Sequence, residues 1–62
     1  MKQGYDRVRD VHVDEAAERL RDRGLPREAV VREFTESGLG RCVAEATVAI
    51  AEQRIAETIS AR

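Results

Sequence analysis

RCVAEATVAIAEQRIAETIS, residues 41–60, runs for twenty positions without a glycine or a proline. At 100° per residue, Val43, Ala46, Thr47 and Ile50 fall on one stripe of a helix, and Ala44, Val48, Ala51, Ile55 and Ile59 fall on a second, rotated by roughly a third of a turn. Two apolar stripes predict two contacts. The first gives way to Arg54 and Glu57 beyond Ile50, so it is expected to pack on the rest of the chain. The second runs the full length with the 4-3-4-4 spacing of a coiled-coil seam. Shorter helices elsewhere in the chain cannot cover all of it, so Ala44, Val48, Ala51, Ile55 and Ile59 are the expected self-association surface.

Working outward, Ser37-Gly38-Leu39-Gly40 breaks the helical pattern, because two glycines in three residues favour a tight turn. A second helix is expected over 26–36, with Pro26 at a first-turn position where its missing N–H costs nothing. Gly24 suits the left-handed position that ends a helix. The first helix is expected over 14–23, with Asp14 as N-cap, acidic residues in the first turn and arginine in the last. Residues 1–13 show weak alternation through Val11 and Val13 and read as an arm with strand character. The expected fold is therefore all-α: one domain over 1–62, with an arm (1–13) and three helices (14–62), the last one long.

A chain of 62 residues forms a core that only marginally outweighs the entropy lost on folding. Nine of its apolar residues are alanine, and one Phe and one Tyr are the only aromatics, so the core must be thin and oligomerisation is expected. The net charge of -1 offers no overall positive field for nucleic acid or anionic lipid. A lone cysteine excludes an internal disulfide. With no signal peptide and no apolar span of bilayer length, the expected location is the cytoplasm, with no membrane partner. Ten arginines against one lysine, with abundant Ala, Val and Glu, are the composition of a GC-rich bacterial or phage genome.

Ala17, Leu20, Arg23-Gly24-Leu25, Val30 and Phe34, followed after a short insertion by Val43, Ala46 and Ile50, form a run that resembles the ubiquitin-associated (UBA) family of three-helix domains. The resemblance covers somewhat over half the chain and implies a topology. It does not imply ubiquitin binding. That family engages ubiquitin largely through a Met-Gly-Phe loop, and here the loop reads Arg23-Gly24-Leu25, with a charge where the apolar contact belongs.

Candidate chemistry is sparse. Asp10, His12 and Asp14 at i, i+2, i+4 would share one side of a strand and face a divalent cation, but supporting ligands are missing nearby, and an exposed arm is the expected reading. Cys42 near the start of the third helix is expected to serve as a buried small apolar residue. Glu18 and Asp22, one turn apart, lack the pocket that acid–base work requires. A helix-turn-helix is disfavoured because Arg23 and Ser37 occupy positions that need apolar residues. No catalytic, cofactor or metal site is therefore expected. The leading expectation is a non-enzymatic protein-interaction module, a homodimeric bacterial or phage regulator with a further protein partner. The alternative is a ribbon-helix-helix DNA-binding repressor or antitoxin, with residues 7–13 as the ribbon and Arg7 and Arg9 on the nucleic acid.

Overall fold

A computed structural model describes residues 7–60 and shows an all-α domain of three helices, α1 (Asp10–Arg21), α2 (Arg27–Glu36) and α3 (Arg41–Ser60). No strand is present among the described residues. The long third helix has the span its uninterrupted pattern predicts.

The first helix starts four residues earlier than expected. Val13, Ala16, Ala17 and Leu20 recur at i, i+3, i+4 and i+7, a helical period, and all four pack into or against the core. Val13 therefore belongs to that stripe and not to an alternating strand. Arg9, in extended backbone, occupies the N-cap position without a side-chain bond. Asp14 lies in the second turn and points its carboxylate at Arg54 of α3 (3.7 Å), so it is not the cap. The stretch before α1 accordingly ends at Arg9, and its residues 1–6 lie outside the described residues. The second helix starts one residue later than expected, because Pro26 is extended (ψ 155°) and serves as its N-cap.

Two glycine-leucine pairs each turn the chain back onto the helix before it. Gly38 takes a positive φ of 112°, and the N–H of Leu39 then donates back to the Phe34 carbonyl at 3.1 Å, closing the end of α2. Gly24 has φ 65°, and the Leu25 N–H donates to the Arg19 carbonyl at 3.1 Å. Both leucines fold inward against the core. Gly38→Ala meets open space but forces an L side chain into a left-handed backbone. It should lower stability by about 1–2 kcal/mol. Gly40→Ser, at the N-cap of α3, should change it by less than about 0.5 kcal/mol. Urea midpoints that move equally for the two variants would contradict this account of the turn.

The core is thin, as the composition requires. Val13 and Ala16 of α1, Val30, Val31 and Phe34 of α2, and Ala44, Val48 and Ala51 of α3 are its buried residues. Thr47 is fully buried beside them, its hydroxyl donating to the Val43 carbonyl of its own helix at 2.7 Å, so a polar side chain sits on the apolar face without an unmet hydrogen bond. Each pair of helices is also tied at the rim. Arg54 reaches Asp10 (3.5 Å) and Asp14 (3.7 Å) from α3 to α1, Arg27 reaches Glu52 (3.5 Å) from α2 to α3, and Arg19 reaches Glu33 (2.9 Å) from α1 to α2. Exposed pairs of this kind contribute about 0–1 kcal/mol each. Their role is to favour one arrangement of the helices over its neighbours.

Candidate functional site

The second stripe of α3 divides into two parts. Ala44, Val48 and Ala51 are fully buried within the chain's own core, so this part of the expected self-association surface is already occupied by α1 and α2. Ile55 is half-buried, and Ile59 is 66% exposed. The first stripe is not the sole intramolecular contact either: Thr47 is buried and Ile50 packs against the core, but Val43 is half-buried beside a surface cleft.

Ile55 lies in a shallow groove of about 310 Å³, together with Asp14, Ala17, Glu18, Arg21 and Thr58. The end of α1 therefore reaches Ile55, so the part of the second stripe that the shorter helices leave uncovered is smaller than expected. The reason is direction. Val8 and His12 line one cleft with Leu39 and Val43, and Ala17 and Arg21 line another with Ile55 and Thr58, so α1 runs along α3 in the same general sense. Ile59 is left on the same line one turn further on. Glu18, Arg21 and Arg54 place both signs of charge at the groove.

On the opposite side of α1, Arg19 lies over the ring of Phe34, 4.9 Å from its centroid, while its Nε is 2.9 Å from Glu33 Oε1. His12 meets the same ring at 6.1 Å with a tilt of 51°. The cation and the imidazole thus cover the one phenylalanine that anchors α2, and the arrangement is structural. Spacing alone does not reveal it, because a charged residue on a helix most often faces solvent.

Helix formation also separates the proposed cation ligands. Positions 10 and 14 lie on the α3 side of α1, where both carboxylates meet Arg54, and His12 lies on the α2 side. No group of three His, Cys, Asp or Glu side chains suited to a metal ion occurs among the described residues. Cys42 is exposed, not buried, because it falls on the outer face of the first turn of α3. Residues 10–13 are helical, so they cannot form the base-reading part of a ribbon, and the ribbon-helix-helix alternative loses its defining element. Arg7 and Arg9 are exposed just before α1, and both line the cleft with His12. None of the described helices is long and apolar enough to cross a membrane. No protein-family model matches the chain, and no curated protein or solved structure is significantly similar to it.

Proposed function

We propose that this chain is a non-enzymatic protein-interaction module that acts as a homodimer, joined through the C-terminal third of α3. The observation that carries the reading is the position of Ile59, 66% exposed on the line that Ala44, Val48, Ala51 and Ile55 draw through the core. A helix that continues its core-facing line past the core presents an apolar edge to water. Two copies related by a two-fold axis would each cover that edge with the same residues. Burying an isoleucine contributes about 1.5–3 kcal/mol, and symmetry counts each contribution twice. The charges of both signs around Ile55 suit such a self-complementary pairing.

The order of helices, with Leu20, Leu25, Val30 and Phe34 gathered on one core, supports a UBA-like arrangement without the family's ligand. The arginine-rich composition supports a bacterial or phage origin for this module. Sedimentation equilibrium tests the central claim. The parent should sediment as a dimer at high micromolar concentration, and Ile59→Asp as a folded monomer with nearly unchanged ellipticity, since position 59 contributes little to the monomer's own core. A monomeric parent with full helicity sinks the proposal.

A further inference from the structure

The groove beside Ile55 is lined by four charged side chains, and they divide into two kinds. Asp14 and Arg54 lie 3.7 Å apart and satisfy one another within the chain. Glu18 forms no ion pair among the described residues, and Arg21 reaches only its neighbour Asp22, at 3.3 Å. On the other sides of the bundle, by contrast, Arg19, Arg27 and Arg54 each bridge to a neighbouring helix. Glu18 and Arg21 are an acid and a base one turn apart, both exposed and neither tied to another helix. Such a pair is self-complementary: each member can meet its opposite on a second copy.

The apolar groups have the same property. Ile55 is half-buried in the groove and Ile59 stands exposed one turn further on, so each copy offers a recess and a projection. One two-fold axis serves both pairs when it lies across the helices, midway between Glu18 and Arg21 on α1 and midway between Ile55 and Ile59 on α3. These midpoints fall at nearly the same level, because the two helices run in the same general sense and Glu18 and Arg21 line the groove with Ile55 and Thr58. Resting on the homodimer proposed above, we propose that a second copy of this chain occupies the groove in an antiparallel arrangement. Ile59 sits beside the partner's Ile55, and Glu18 pairs with the partner's Arg21, each contact occurring twice. A parallel pairing along α3 would carry the two copies of α1 to opposite sides and leave Glu18 and Arg21 as they are. The end of α1 therefore belongs to the interface, and its charges fix a register that the isoleucines alone leave loose.

Sedimentation equilibrium of Glu18→Arg, of Arg21→Glu and of their equal mixture tests the arrangement. Both positions are exposed, so each variant should keep the parent's ellipticity. In a Glu18→Arg dimer arginine meets arginine at both contacts, and in an Arg21→Glu dimer glutamate meets glutamate. Each variant alone should therefore associate at least about tenfold more weakly than the parent. In the mixed dimer both contacts join opposite charges again, and affinity should return to within about threefold of the parent's. A substitution that merely disturbed α1 would show no such recovery. A parent dimer that tolerates both variants, or a mixture as weak as its components, overturns the antiparallel arrangement and leaves the Ile59 dimer standing. A monomeric parent overturns both.

Discussion

Phe34→Ala is expected to leave the chain largely unfolded at 25 °C. Phe34 is 3% exposed, is the only phenylalanine, and holds α2 under Arg19 and His12 of α1. Truncating a buried phenylalanine to alanine costs about 3–5 kcal/mol, and a core of this size supplies only about 3–5 kcal/mol in total. The two figures are equal in scale, so the substitution removes the whole margin. Neighbouring side chains have little freedom to fill the space, because three of the remaining core residues, Ala16, Ala44 and Ala51, are alanines with no rotamers to move. Far-ultraviolet circular dichroism should show most of the helical signal lost, with Phe34→Leu retaining a cooperative transition at a lower midpoint. A Phe34→Ala chain that melts cooperatively near the parent's midpoint would mean that α2 is anchored elsewhere.

The second large effect is at Val48. It shares a helical stripe with Ile59, yet the two positions should respond to the same change in opposite ways. Val48 is fully buried against α1 and α2, so Val48→Asp places a carboxylate in the monomer's core with no partner. An unpaired buried charge costs far more than this domain can offset, and the helices must separate. Ellipticity should collapse even at concentrations where the parent is already monomeric. Ile59→Asp should alter only association. If Val48→Asp stays folded and merely loses self-association, then Val48 faces a second copy and the intramolecular packing of α3 described above is wrong.

Helix α3 was legible in the sequence because its evidence is local: twenty residues without Gly or Pro, two apolar stripes, and a Gly-rich break before it. The three-helix class followed for the same reason, since Gly24 and Gly38 mark positive-φ turns that few other residues tolerate. The start of α1 was harder to read. Val11 and Val13 alternate as a strand would, and only Val13 belongs to the helical stripe, whereas Val11 points to solvent at 56% exposure. Two alternating valines just before an alanine pair fit either period when read alone, and the contact of Val13 with the core chooses the helix.

What the sequence by itself determined is which residues are apolar and on which stripe, because periodicity follows from the backbone of a single helix. What only the tertiary structure decided is which stripe meets which neighbour. Packing α1 alongside α3 buries Ala44, Val48 and Ala51 inside the chain and leaves Ile59 exposed at the end. It also turns Asp10 and Asp14 toward Arg54, stacks Arg19 on Phe34, and brings Arg7 and Arg9 to the start of α3. Those pairings join residues far apart in the chain, and they depend on the crossing of helices, which no local pattern encodes.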